Sequence, residues 1–478
     1  MVEKLYNELI ESLEQKHLLN IDLVIKAYKI ANSLHKTQIR KDGTPYIMHP
    51  LSVAKILEEL DFNADIIASA LLHDVVEDCN YTLDEIRKNL NKNVAQIVDA
   101  VTAIENLEPE KEFSKLDAEN KTYQKLLTIG KENRFAFFIK FADRLNNLRT
   151  ISCFPKYKQI EKVKETENWL IPILKILKAS FLFHAIDNEC FLIKRAGQLD
   201  KFLFRYNKYN RLNQNNFNFI KTYLSDNLNH FIFKKKYKLN LKKVIQDDIL
   251  PKEVYAKLME TKSFENLTYF RTHQFTAAPF KKIYLVFDED NNKNEMLTML
   301  FDFLEQSGVD KNIKLIGFET ETFGYSHFIL VDNVRNRYEL YLFNEKEYIE
   351  YKNGTLEGAE IDKLDADTTR PASNFIKVFT RSNEAIYLPE GSTVLDFAFK
   401  LHNDLGFSCL HAHLNDSPIK TPIYAKLTEN DKINLVLKVD EETGYKQNIA
   451  QIRWLTYVNT EGAKRSLSKY FENKYEVS

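Results

Sequence analysis

The chain reads as a multidomain α+β protein: an all-helical first domain, an α/β middle domain, a small ubiquitin-like (β-grasp) domain and a short helical tail. Three observations predict this. At 478 residues the chain exceeds what one hydrophobic core organises, and roughly three domains are expected. Apolar residues recur at helical spacing through the first third, and as short strand-like runs further on. Glycine and proline are scarce, 12 and 11, which argues against long flexible linkers.

Residues 1–185 read as helix after helix. Leu23, Ala27, Ile30, Ala31 and Leu34 keep helical spacing, as do Val53, Ile56, Leu57 and Leu60, then Ile66, Ile67, Ala70, Leu71 and Val75. Breaks fall at Asp42-Gly43-Thr44-Pro45 and at Cys79-Asn80. Thr82-Leu83-Asp84-Glu85 has the form of a capping box. The polar stretch from Glu105 to Asn120 reads as a loop.

The span 190–370 begins as Lys/Asn/Tyr-rich helical text. Strand-like runs follow at Ile283 to Phe287, Lys314 to Phe318, His327 to Val331 and Tyr338 to Phe343, with a helix at Lys293 to Gln306. The span 373–440 has the pattern ββαββ. Its strands are Ile376 to Thr380, Ile386 to Leu388, His411 to Leu414 and Ile433 to Leu437, and its helix runs from Val394 to Leu405 and is closed by Gly406. In the tail, 445–478, Gln451 to Phe471 reads as one amphipathic helix.

The formal net charge is −1, so the chain as a whole offers no electrostatic argument for nucleic acid or an anionic membrane. Lys234-Lys235-Lys236 with Lys238, Lys242 and Lys243 is a basic run that reads as a solvated face, or else as an RNA contact. The four cysteines, Cys79, Cys153, Cys190 and Cys409, lie far apart without a CxxC pair, which disfavours a zinc knot or a disulfide framework. The N-terminus is charged and lacks the apolar core of a secretory signal. The longest apolar stretch, Trp169 to Phe183, is interrupted by Lys175 and Lys178. A cytoplasmic protein without a membrane span is expected.

The chemistry concentrates in three places. In Leu71-Leu72-His73-Asp74-Val75-Val76-Glu77-Asp78, a helix would put His73 with Glu77 and Asp74 with Asp78, crowding ionisable groups beside an apolar face. A lone His-Asp dipeptide reads as a solvated helix face. Two further pieces change that. His49 follows a tight turn and precedes Pro50, which suits a first helical turn. Asp143 stands inside the apolar run Phe138 to Leu145, where an unpartnered carboxylate is costly. Together His49, His73, Asp74 and Asp143 offer four ligands from three helices, a donor set suited to Mn, Fe or Zn with room left for water or substrate.

These residues resemble the hydrolase domain of the bifunctional RelA/SpoT alarmone enzymes. The resemblance covers Ala31 to Leu57, Ala70 to Ile104 and Phe138 to Ile151. It implies an HD-type metal-dependent hydrolase with metal ligands His49, His73, Asp74 and Asp143 and catalytic acids Glu77 and Asp78. It implies nucleotide contacts from Arg40, Lys41 and Asp42 near the base and from Asn147 and Thr150 near the ribose and phosphate. The reaction implied is Mn²⁺-dependent removal of the 3′-pyrophosphate of ppGpp or pppGpp, giving GDP or GTP, in stringent-response homeostasis. The family usually has His where this chain has Asn146.

In that family a nucleotidyltransferase-like synthetase domain follows. Gly324-Tyr325-Ser326-His327 and Tyr338-Glu339-Leu340-Tyr341-Leu342 are faint echoes of it, but Lys281-Lys282-Ile283-Tyr284-Leu285-Val286-Phe287 carries no carboxylate where one belongs, and no basic triphosphate cradle stands out. A degenerate, inactive synthetase is expected. Residues 375–438 resemble the family's TGS domain through Val378-Phe379-Thr380 and Leu388-Pro389-Glu390-Gly391-Ser392-Thr393. The resemblance implies a contact with a regulatory protein, the ribosome or tRNA. The tail resembles the opening of the family's helical domain, cut short. Two other readings stay open: a hydrolase of an adenosine alarmone or another 3′-phosphorylated nucleotide, and a non-catalytic alarmone-responsive protein acting through TGS. The sequence is silent on oligomeric state.

Overall fold

The computed structural model describes residues 1–105, 133–260, 272–307, 313–320, 324–354, 375–440 and 444–476. The loop expected from Glu105 to Asn120 therefore lies, past its first residue, outside the described residues. The chain divides into two compact units, Met1–Asp200 with Ile349–Asp367, and Lys201–Tyr348 with Thr368–Ser478.

The first unit is all helical. At its centre lies the short helix Ala64–Leu71, with all its residues buried except Asp65. Its sequence is apolar nearly all round, as a helix enclosed on every side must be. Asn63 caps it, its side chain accepting from the Ile66 amide at 3.2 Å. The helices Ile21–Leu34, Met48–Glu59, Lys92–Glu105 and Phe135–Arg149 pack around it. Helix Leu83–Asn89 opens on the capping box read from the sequence: Thr82 and Glu85 exchange side-chain and backbone bonds. The stretch from Ile349 joins this unit by its end. Asn353 Nδ2 donates to the Leu60 carbonyl at 2.9 Å, and Lys352 pairs with Asp61 at 2.9 Å. Gly354 has φ +82°, and a Cβ there would stand 2.0 Å from the Leu177 carbonyl oxygen, so only glycine fits.

The second unit holds two sheets. The five-stranded sheet has the order β1-β2-β5-β4-β3, formed by Leu241–Asp248, Pro279–Phe287, Ile313–Thr320, Ser326–Asp332 and Arg337–Asn344. Only β2 and β5 run parallel. The four strands read from the sequence are all present. Strand β1 and the helix Pro251–Glu260 were not read from it. The reason is burial: β1 is an edge strand of which only Leu241 is fully buried, so no apolar alternation marks it.

The second sheet, β7-β6-β9-β8, comprises Phe375–Thr380, Ala385–Pro389, Cys409–Leu414 and Lys432–Leu437, with β6 and β9 parallel at its centre and the helix Val394–Leu401 between the hairpins. This is the expected β-grasp order. Two details differ. The helix ends at Leu401, His402 is extended, and a second short helix, Asn403–Ser408, contains Gly406. Gly406 closes nothing. It lets the Phe399 ring approach, since a Cβ there would stand 2.4 Å from that ring. The tail is likewise two pieces, a 3₁₀ turn Ile452–Thr456 and the helix Glu461–Glu476. The break has a partner: the Asn459 and Thr460 amides donate to the buried Asp396 carboxylate rather than continuing a helix.

Candidate metal centre

His49 lies in the first turn of Met48–Glu59, just before Pro50, where a missing N–H leaves no helical bond unmade. Asp143 lies within Phe135–Arg149, a helix buried at Ala136 to Ile139 and at Phe141 to Asn146. Both placements match the sequence reading. The His73-Asp74 pair does not lie on one helix with Glu77 and Asp78. The chain breaks there, between Ala64–Leu71 and the short helix Val75–Asp78, through tight turns such as Val75 N to Leu72 O at 3.2 Å. The cause is His73 itself. Its Nδ1 bonds the Ala70 carbonyl at 2.8 Å, the acceptor that an unbroken helix would offer to the Asp74 amide.

That bond also sets the chemistry of the ring. A carbonyl only accepts, so Nδ1 carries a proton, and in the neutral ring Nε2 carries the lone pair. Nε2 is buried, has no hydrogen-bond partner among the described residues, and lies 3.1 Å from Asp74 Oδ1. With the neutral ring, two electron-rich atoms this close leave room for a cation between them, a proton or a metal ion. His49 completes the arrangement. Its Nε2 is 3.1 Å from Asp143 Oδ1 and 3.7 Å from Asp74 Oδ2, and its ring stands 5.2 Å from that of His73. One ligand atom each from His49, His73 and Asp74 lies within 4.8 Å of the others. Asp143 is linked to this group through His49. Imidazole nitrogens with carboxylate oxygens suit a divalent first-row metal, so the residues present fit such an ion.

Burial by itself would raise the Asp143 carboxyl, but the His49 hydrogen bond and the Lys140 ammonium, 3.7 Å away, hold it far below the ordinary carboxylate range. Burial would lower the His49 ring, yet the hydrogen bond and charge of Asp143, with the charge of Asp74, raise it. A proton on Nε2 and a metal ion thus compete for one place.

An open cleft of about 500 Å³ lies alongside, lined by Arg40, Asn147, Thr150, Phe154, Lys158 and Lys162 among others. Lys41 stacks its ammonium over the Phe154 ring, 4.6 Å from the centroid. Asp42 accepts from the Thr44 amide and hydroxyl at 2.9 and 2.6 Å, which holds the turn before Pro45; it does not line the cleft. Thr150 bonds the Asn146 carbonyl at the end of the Asp143 helix. Glu77 and Asp78 are exposed. Sequence reasoning missed three side chains. Tyr46 donates to Asp74 Oδ2 at 2.7 Å and approaches Asp78 Oδ2 at 3.0 Å. Asn146 bonds His49. Phe154 forms a cleft wall. The one sequence signal among these was the unusual Asn146. Tyr46 and Phe154 read as ordinary aromatics until the turns bring them to the centre.

Residues 27–169 match the model of the HD domain, and residues 376–437 match that of the TGS domain. A guanosine-3′,5′-bis(diphosphate) 3′-pyrophosphohydrolase of Aquifex aeolicus is 25% identical over 94% of this chain and 64% of its own length. A probable GTP pyrophosphokinase of Mycobacterium leprae is 25% identical over 95% of this chain and 59% of its own. A protein of Haemophilus influenzae bearing the first of these names is 24% identical over 94% and 67%. The chain therefore spans less than two thirds of the first two relatives. Its HD and TGS domains, and relatives of both names along nearly all its length, are what this chain shares with RelA/SpoT-type proteins.

Proposed function

We propose that the first unit hydrolyses (p)ppGpp with Mn²⁺, removing the 3′-pyrophosphate to leave GDP or GTP in alarmone homeostasis. The observation that supports this best is the buried His73 Nε2 lone pair facing Asp74 beside an Arg40-lined cleft. His49, His73, Asp74 and Asp143 would hold the ion, which supplies the charge that activates a water near neutral pH. Arg40 and Lys41, expected near the base, also offset the negative charge of the nucleotide. Asn147 and Thr150 border the sugar, and Asp42 fixes the turn that carries Arg40. The exposed Glu77 and Asp78 take up and return the proton. Four free cysteines fit a reducing cytoplasm.

We further infer that the middle domain has lost pyrophosphoryl transfer. Lys282 pairs with Glu253 at 2.8 Å, Lys281 pairs with Asp248, and Lys257 pairs with Glu319, so three carboxylates of this domain meet amines rather than a metal ion. Division into a hydrolase domain 1–185, a pseudo-synthetase 190–370, TGS 373–440 and a tail 445–478 belongs to the same proposal. So does a regulatory protein, ribosome or tRNA contact through TGS.

The test is a nucleotide panel with and without Mn²⁺, run in both directions. Pyrophosphate and GDP from ppGpp, and no product from GTP with ATP and Mg²⁺, is the expected result. Asp74→Ala should abolish turnover, a loss of at least about 10³-fold. Preference for an adenosine alarmone would replace the substrate, and binding of ppGpp without turnover would leave a regulatory protein.

A further inference from the structure

We propose that Asn146 is a positioning residue whose single amide oxygen ties the metal centre to Arg40, so that cation and substrate are held through one group. The inference rests on the hydrolase reading above. Asn146 is buried at the end of the Asp143 helix, 7% exposed. Its Oδ1 lies 2.7 Å from His49 Nδ1 and 3.2 Å from Arg40 Nη1. A guanidinium has donors only, so the atom facing Arg40 is the oxygen and not the amide nitrogen. His49 Nδ1 therefore donates to the same oxygen, which leaves Nε2 as the ligand atom. Arg40 thus sets the amide, and the amide sets the ring.

The next residue closes the circuit. Asn147 Oδ1 accepts from Arg40 Nη2 at 3.0 Å, and Asn147 Nδ2 donates to Asp143 Oδ1 at 2.6 Å. Two consecutive amides run from one edge of Arg40 to a nitrogen ligand and an oxygen ligand. The guanidinium keeps its remaining N–H groups for an anion in the cleft. A histidine at this position, as the resemblance leads one to expect, has one acceptor nitrogen and cannot receive both donors. The asparagine of this chain can.

The experiment measures Mn²⁺ affinity of the metal-stripped full-length protein, by paramagnetic resonance of free Mn²⁺, beside kcat and KM for ppGpp. Asn146→Leu should weaken Mn²⁺ binding roughly 10- to 100-fold and raise KM. Asn146→Asp keeps an oxygen for both donors and should bind Mn²⁺ at least as tightly as the parent. Arg40→Met should also weaken Mn²⁺ binding, whereas removal of a positive charge beside a cation would by itself strengthen it. Unchanged thermal unfolding in EDTA separates loss of the site from loss of the fold. If Asn146→Leu binds Mn²⁺ like the parent, or Arg40→Met binds it more tightly, the bridge is wrong and the hydrolase reading stands. If the parent takes up no Mn²⁺, the hydrolase reading falls and the bridge falls with it.

Discussion

Tyr46 has one proton and two carboxylates within reach, Asp74 at 2.7 Å and Asp78 at 3.0 Å. One of these is a metal-ligand candidate and the other a proposed proton carrier, so the hydroxyl fixes their spacing. Burial, and then the charges of Asp74 and Asp78, raise its pKa, so it stays a donor throughout the working range. Its ring also stacks on His35, with centroids 4.7 Å apart. Tyr46→Phe keeps that stacking and removes only the hydroxyl. The expected result is a fall in kcat and in Mn²⁺ affinity of about tenfold each, with little change in metal-free stability. Equal kcat in the two proteins would show that Asp74 needs no such support. Position 74 was marked as a candidate in the sequence only once His49 and the Asp143 set in apolar text stood beside the His-Asp pair. The turn around it was not, because the His73–Ala70 bond that breaks the helix is a side-chain choice that helical periodicity cannot register.

Among the elements, the joint between the TGS helix and the tail is the clearest case of one residue serving two. Asp396 is fully buried and accepts from Thr393 N and Oγ1, closing the capping box of its own helix. It also accepts from Asn459 N and from Thr460 N and Oγ1, at 2.7 to 3.0 Å, ahead of the helix Glu461–Glu476. Two helix starts thus share one carboxylate, which is favourable at each because both present unpaired amides. Trp454, Leu467 and Phe471 then complete a core with Val394, Leu395 and Ala398. Asp396→Ala should destabilise this core by roughly 3 kcal/mol, since hydrogen bonds to a charged group are lost and the amides are left unpaired. Trp454 fluorescence during urea unfolding, in a Trp169→Phe background, reads it directly. A midpoint unmoved from the parent would mean that the tail is held by its apolar face alone.

At the scale of the whole molecule, the middle sheet buries an ionic group of its own. Strand pairing sets Lys282 opposite Glu339 and Glu319 opposite His327. Burial, then the charges of Lys282 and Lys257 against that of Glu319, lowers the His327 pKa from 6.5 to about 3. Burial raises the Glu339 carboxyl to about 7. The signs oppose. In the unfolded chain His327 takes a proton below 6.5, while in the folded chain it resists until about 3, so this residue removes stability as pH falls through that window. Glu339 binds its proton more readily when folded, so it adds stability as pH falls from about 7 toward 4.5. His327→Leu removes the first effect alone. Between pH 6.5 and 5 the variant should gain on the parent by up to about 1.4 kcal/mol per pH unit. Parallel stability profiles for the two proteins would show that His327 is not held neutral by burial.

The sequence by itself determined the helical first domain, the β-grasp order and four of the five middle strands, and it marked the residue types of the candidate metal centre. These follow from local causes: apolar period, capping residues, and the expense of ionisable groups set in apolar text. Tertiary structure decided the rest. It turned His73 back on Ala70, gathered His49 and Asp143 from two helices and Asp74 from the turn between two others, and put Asn146 between His49 and Arg40, which are 97 and 106 residues away from it in sequence. It also sank Lys281 and Lys282 among acids from β1 and from the helix Pro251–Glu260, elements whose half-exposed strand and mixed text gave no periodic signal. Composition and spacing carry what a residue needs from its neighbours in the chain. Which distant group supplies it is settled only when the helices pack.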